Sequence, residues 1–97
     1  MRMLLKIGMP VEHGNEAIKS GMLQRSMEAT IKALKPEAAY FYAEDGKRTA
    51  IMVFDMQGSW QIPAAAEPLF QNLGASIHLT PVMNAEDLQR GLKEAGM

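Results

Sequence analysis

The chain contains no cysteine. That excludes disulfides, thiolate nucleophiles and cysteine-ligated metal centres, and it fits a reducing, cytoplasmic location. No apolar run approaches the ~20 residues that a membrane-spanning helix needs. Met1-Arg2-Met3-Leu4-Leu5-Lys6 opens like a signal start, but Lys6 and Pro10 cut it short. Neither sign of charge is in excess: ten basic and eleven acidic residues are interleaved, for a net charge of −1. Without a basic stripe to neutralise phosphates, nucleic acid is not an expected partner, and neither is a membrane. The eight glycines make neither G-x-G-x-x-G nor a P-loop. They are spaced as turn and cap glycines, so nucleotide binding has no support.

What is present is an ordinary globular mixture, 47% apolar and 22% charged. At 97 residues it suffices for one domain, residues 1–97, with a small stability margin that pairing would improve. Nine methionines are read as filling an irregular core. The most informative stretch is Ala38 to Met56, two apolar runs around Asp45-Gly46. That dipeptide supplies the positive φ values of a two-residue type I′ turn and so fixes a hairpin register. Glu44 then faces Lys47, Tyr42 faces Thr49 and Tyr40 faces Ile51. One face carries Ala39, Phe41, Ala50, Met52 and Phe54; the other carries Tyr40, Tyr42, Ile51, Val53 and Asp55. A strand pair apolar on both faces must be covered on both.

The remaining elements follow from periodicity and punctuation. Met3 to Met9 alternates as a strand ended by Pro10, and 11–14 reads as a loop. Asn15 is the expected N-cap of a helical stretch to Leu34, with Ile18, Met22, Met27, Ile31 and Leu34 on one stripe. Ser20-Gly21 weakens its middle and Lys35-Pro36 stops it. Ser59 is expected to cap a second helix, with Pro63 in its first turns, Pro68 kinking or breaking it, and Gly74 at C′. Residues 75–83 read as a fourth strand. Asn84-Ala85-Glu86-Asp87 resembles a capping box that opens a short terminal helix marked by Leu88 and Leu92.

The order is β-α-β-β-α-β plus a short C-terminal helix, the α+β ferredoxin-like pattern. It predicts a four-stranded antiparallel sheet in the order 4-1-3-2, with helices on one face. The opposite face would carry Leu4, Lys6, Tyr40, Tyr42, Ile51, Val53, Asp55, His78 and Val82, too apolar a set to leave in water. A homodimer through this open face is the simplest cover.

In element order, and in the local runs Phe54-Asp55-Met56 and Pro81-Val82-Met83-Asn84-Ala85-Glu86-Asp87-Leu88, the chain resembles uncharacterised families of the dimeric α/β-barrel superfamily. The resemblance implies a ferredoxin-like protomer and a dimer. That superfamily also holds cofactor-independent and haem-degrading monooxygenases, chlorite-dismutase-like proteins and muconolactone-isomerase-like enzymes. No residue pattern here matches their catalytic sets.

Lys6, Asp55 and His78 are expected to converge at one end of the open face, with Lys6 taken to lie in a strand parallel to the third. A mutual neutralisation of Lys6 and Asp55 is the plainer reading of that trio. Tyr40 and Tyr42 share the face and could offer hydroxyls to a ligand or pack across a dimer seam. Trp60 beside Gly58 is read as a plug at a helix start or the cover of a pocket mouth. Glu12-His13 with His78 lacks metal-ligand spacing, and no cofactor is indicated. The functional expectation is a homodimer holding a small apolar organic ligand at Lys6, Tyr40, Tyr42, Asp55, Trp60 and His78. The alternatives are a cofactor-independent monooxygenase or isomerase for an aromatic or polyketide-like molecule, and a purely structural or interaction protein.

Overall fold

A computed structural model describes residues 1–97. The strands are β1 (Arg2–Gly8), β2 (Ala38–Glu44), β3 (Lys47–Asp55) and β4 (Ser76–Pro81). The helices are α1 (Val11–Ser20), α2 (Met22–Leu34), α3 (Ile62–Leu73) and α4 (Ala85–Glu94), with a 3-10 turn at Ser59–Gln61 leading into α3. The sheet order is β2-β3-β1-β4 and every neighbouring pair is antiparallel. This is the ferredoxin-like arrangement. The hairpin register is Glu44 to Lys47, Tyr42 to Thr49 and Tyr40 to Ile51. Asp45 and Gly46 have φ of 52° and 75°, the two left-handed residues of a type I′ turn.

The expectation that β1 runs parallel to β3 is overturned. A helix between β1 and β2 returns the chain to its starting end, so β1 and β2 point the same way. The hairpin then reverses β3, which must oppose β1. Arg2 therefore stands opposite Asp55, and Lys6 opposite Ile51.

Strand alternation builds the core. Met3, Leu5 and Ile7 of β1 point to the helices, as do Ala50, Met52 and Phe54 of β3. They meet Ala17, Met27, Leu69 and Leu73 of the helices, with Met9 and Met56 filling the strand ends. Leu5, Ile7, Met52, Leu69 and Leu73 are fully buried. Each such side chain contributes about 1.5–3 kcal/mol. Five methionines, at 3, 9, 27, 52 and 56, serve as core filler.

Three helix details depart from the sequence pattern. First, α1 begins at Val11 directly after Pro10, and Asn15 is not its cap. Asn15 Oδ1 instead accepts from Arg48 Nη2 at 3.0 Å. Arg48 also packs so tightly on the buried Gly14 that a Cβ there would lie 2.8 Å from its Nη1. Second, the stretch divides at Gly21, φ 80°, into a shorter α1 and a longer α2 as Ser20-Gly21 implies, but the break shifts the helical phase, so the single stripe does not hold. Ile18 and Ile31 are exposed in consequence, while Ala17 and Met27 are buried. Third, α3 runs unbroken through Pro68. Ala65, Ala66, Leu69 and Leu73 anchor it on both sides of the proline. Their burial outweighs the ~3 kcal/mol that an interior proline costs.

The helix α4 stands apart. Asn84 and Asp87 complete its capping box, with Asp87 N–H donating to Asn84 Oδ1 at 2.8 Å and Asn84 N–H to Asp87 Oδ2 at 3.2 Å. None of its residues is buried, and Leu88 and Leu92 are exposed. The molecule measures 53 × 28 × 17 Å. No helix is long and apolar enough to cross a membrane.

Candidate functional site

The open face of the sheet is a lattice set by strand register. One cross-strand row holds Ala38, Val53, Leu4 and Thr80; the next holds Tyr40, Ile51, Lys6 and His78; the third holds Tyr42, Thr49, Gly8 and Ser76. The first row and Ile51 form an apolar patch at the centre of the face. Leu4, Ile51, Val53 and Val82 are each only part-covered, and Tyr40 is 68% exposed.

The third row is shallow because Gly8 has no side chain. A Cβ there would lie 3.1 Å from Ser76 Oγ. The result is a recess of about 430 Å³ floored by Gly8, Thr49 and Ser76, walled by Lys6, Glu44 and His78, and rimmed by Asp45 and Lys47. Three of these groups form one network. Lys6 Nζ reaches diagonally across β3 to pair with Glu44 Oε2. Tyr42 Oη donates to Glu44 Oε1 at 2.9 Å. The Lys6 and Tyr42 bonds hold the Glu44 carboxyl below its ordinary value. The Glu44 carboxylate in turn raises the Lys6 ammonium and the Tyr42 phenol above theirs. Around neutrality Lys6 is thus fixed as a cation, Tyr42 as a neutral donor and Glu44 as an anion.

Of the residues singled out from sequence, Lys6, Tyr42 and His78 lie at this corner, and Lys6 and His78 are direct cross-strand neighbours. Tyr40 shares the row of Lys6 and His78 on the same face, separated from Lys6 by Ile51. Asp55 is not with them. The antiparallel pairing of β1 and β3 puts it at the far end of the face, opposite Arg2. There Asp55 Oδ1 accepts from the Met1 amino group at 2.7 Å and Oδ2 from Gln57 Nε2 at 2.6 Å. Arg2 pairs with Glu37 at 2.6 Å and with Asp87 at 3.3 Å. The expected neutralisation of Lys6 by Asp55 is replaced by Lys6 with Glu44. Trp60 is neither plug nor cover: it is 75% exposed, its ring lying against Gly58, where a Cβ would sit 1.9 Å from Cζ3.

The sequence pattern places Glu44 only opposite Lys47 in the hairpin register, and it does not reveal its role here or the floor of Gly8, Thr49 and Ser76. The signal for both was the register. An antiparallel β1 aligns three small residues in one row and leaves Lys6 within reach of the last residue of β2 on the same face. His13 lies against Gly74 and does not line the recess that His78 walls, and no group of three or more histidine and carboxylate side chains could hold a metal ion. Comparison of the chain with protein-family models and with curated proteins returns no match.

Proposed function

We propose that the chain works as a homodimer in which two open sheet faces close into a dimeric α/β barrel, each Lys6 corner holding a small organic molecule. The observation that carries this reading is the juxtaposition of the part-covered apolar row (Leu4, Ile51, Val53, with Tyr40 beside it) and the polar recess over Gly8. An apolar body on the row and a polar end in the recess is the kind of ligand such a site binds. The formal charges around the recess cancel, Lys6 and Lys47 against Glu44 and Asp45. A neutral ligand bearing hydroxyl or carbonyl groups is favoured over an anion or cation. The α4 helix extends the same interface: it leaves the Val82 end of the face, is tied to it by Arg2 and Asp87, and presents Leu88 and Leu92 one turn apart.

The pKa directions support binding over proton transfer. A general base must exchange its proton near the working pH, whereas the network pushes Lys6 and Tyr42 upward and Glu44 downward, away from neutrality. These three groups are accordingly read as binding groups, and an oxygenase or isomerase would have to draw its base from elsewhere in the recess, such as His78.

Native mass spectrometry of the protein as purified, followed by the same measurement after denaturation, tests this reading. A dimer carrying an added mass of a few hundred daltons that disappears on denaturation is expected. A monomer at micromolar concentration would end the closed-face reading. A bare dimer that no neutral aromatic or aliphatic alcohol stabilises against heat would end the ligand reading.

A further inference from the structure

β2 is an outer strand of the sheet, with β3 as its sole neighbour. Which of its backbone groups are free follows from the ladders. Met9 N–H donates to the Arg48 carbonyl at 3.1 Å, so the even-numbered residues of β3 serve β1 and the odd-numbered ones serve β2. The β2 partners of Lys47, Thr49 and Ile51 are Glu44, Tyr42 and Tyr40. The N–H and C=O groups of Ala39, Phe41 and Ala43 therefore point outward, and no turn or loop takes them.

Natural sheets blunt such an edge with lysine, proline or a bulge. The other outer strand, β4, ends in Pro81. From Ala39 to Ala43, β2 has no proline and no charge, and it carries three aromatic residues in a row. Tyr40 and Tyr42 on the open face are 68% and 38% exposed, and Phe41 on the helical side is 58% exposed. At ~200 Å² per aromatic side chain this amounts to roughly 300 Å² of aromatic surface per copy. Two such surfaces, with the strand backbones between them, come to about 1,000 Å², the low end for a specific interface.

The strand is complementary to itself. A two-fold axis at Phe41 sets Phe41 of one copy opposite Phe41 of another, with Ala39 opposite Ala43 on either side. These are the residues whose main-chain groups are free, and each such pair exchanges two hydrogen bonds. Between them Tyr40 of each copy meets Tyr42 of the other in the close positions where cross-strand aromatic pairs add stability. Asp45 comes opposite Glu37 at the two ends, where Arg2 already neutralises Glu37. A contact of this kind closes on itself.

We propose that β2 is an interaction surface for β2 of a second copy, the two strands pairing antiparallel about Phe41 so that two four-stranded sheets become one. The contact lies at the edge of the sheet and does not rest on the open-face reading. Its modest area makes it a contact of high protein concentration, added to any pairing through the open face.

The test is disulfide trapping in the full chain, which has no cysteine of its own. Cα atoms of a hydrogen-bonded antiparallel pair lie about 5.5 Å apart, within disulfide range. At millimolar concentration under mild oxidation Phe41→Cys should give a disulfide dimer by mass spectrometry, and should still do so when combined with Ile51→Asp. An equimolar mixture of Tyr40→Cys and Tyr42→Cys should give more mixed dimer than the two like dimers together. Ala43→Pro loses an N–H that faces outward, so the β3 ladder and the circular dichroism spectrum should be kept. It should slow the Phe41→Cys disulfide at least about tenfold, the order of two lost hydrogen bonds. No disulfide in Phe41→Cys, no excess of mixed dimer, an unchanged rate with Ala43→Pro, or a disulfide lost in a folded Ile51→Asp chain would each overturn the proposal.

Discussion

Glu44 shows how one residue changes role with its neighbours. In sequence it belongs to a charged hairpin tip; in the fold it accepts from Lys6 and Tyr42 at once. Because its carboxyl is held below the ordinary value of 4.5, the folded state favours the anion. That contribution is present above 4.5 and is lost as pH falls through the lowered value. Tyr42 and Lys6 are raised above 10.0 and 10.5, so theirs is present below those values and is lost as pH rises through the raised ones. Stability should therefore be flat between about 5 and about 10 as far as this network is concerned, declining at both ends. Both side chains of the pair are more than a third exposed, which keeps each decline shallow. Urea midpoints measured from pH 3 to 11 should show that profile, and Glu44→Gln should flatten both limbs. An acid limb unchanged in Glu44→Gln would mean that other carboxylates set it.

Gly8 acts at the same scale by having no side chain. Its hydrogen keeps the recess floor low between Thr49 and Ser76. Gly8→Val should fill the recess and push on Ser76 Oγ, the atom 3.1 Å from where a Cβ begins. The expected result is loss of any copurifying mass with the fold retained, checked by native mass spectrometry beside a circular dichroism spectrum. Bound mass surviving in Gly8→Val would place the ligand elsewhere.

Among the elements, the hairpin was the most legible, because Asp45-Gly46 dictates the turn and the turn dictates every cross-strand pair. The strand order followed from the β-α-β-β-α-β sequence of elements, and the α4 start from its capping box. What escaped notice was set by tertiary contacts. Asn15 looked like a cap, but Arg48, distant in sequence, takes its side chain, and the helix starts four residues earlier. Pro68 looked like a break, but its neighbours are held in the core. The site residues divide in the same way: Lys6 and His78 were found by alternation, whereas the misplacement of Asp55 came from one wrong strand direction.

Pro68 also allows a measurement on α3. Replacing it restores an N–H to the Ala64 carbonyl and removes the ring clash, while the unfolded chain regains backbone freedom. The gain outweighs the loss because the rest of α3 already has helical geometry. Pro68→Ala should raise unfolding stability by about 1–2 kcal/mol, read from urea denaturation at unchanged m. No gain would mean that the Ala64 carbonyl is already well satisfied. Gly21→Ala should act the other way. At φ 80° a Cβ is strained, and the α1–α2 boundary would lose about 1 kcal/mol.

At the scale of the whole molecule the shape itself is informative. A compact chain of this length has a radius of gyration near 12.5 Å by the usual scaling, against 15.3 Å here. The excess fits an α4 with no buried residue and a long axis of 53 Å. A ten-residue helix alone in water is marginal, since its nucleation is unfavourable and too few bonds follow. The capping box contributes about 1 kcal/mol, and the exposed Arg90–Glu94 pair under ~0.5 kcal/mol. A helix with leucines at i and i+4 gains its remaining stability by packing them. Under the dimer reading the surface that covers Leu88 and Leu92 is the second copy, so helicity of α4 is linked to association. Backbone hydrogen exchange should then depend on protein concentration at residues 85–94 while staying constant in β1, β3 and α3. Ile51→Asp, which puts a charge at the centre of the open face, should bring α4 to fast exchange at every concentration and yield a monomer by light scattering. If α4 is equally protected in the Ile51→Asp monomer, it is stable without a partner and takes no part in the interface. If Ile51→Asp remains dimeric, the open face is not the seam.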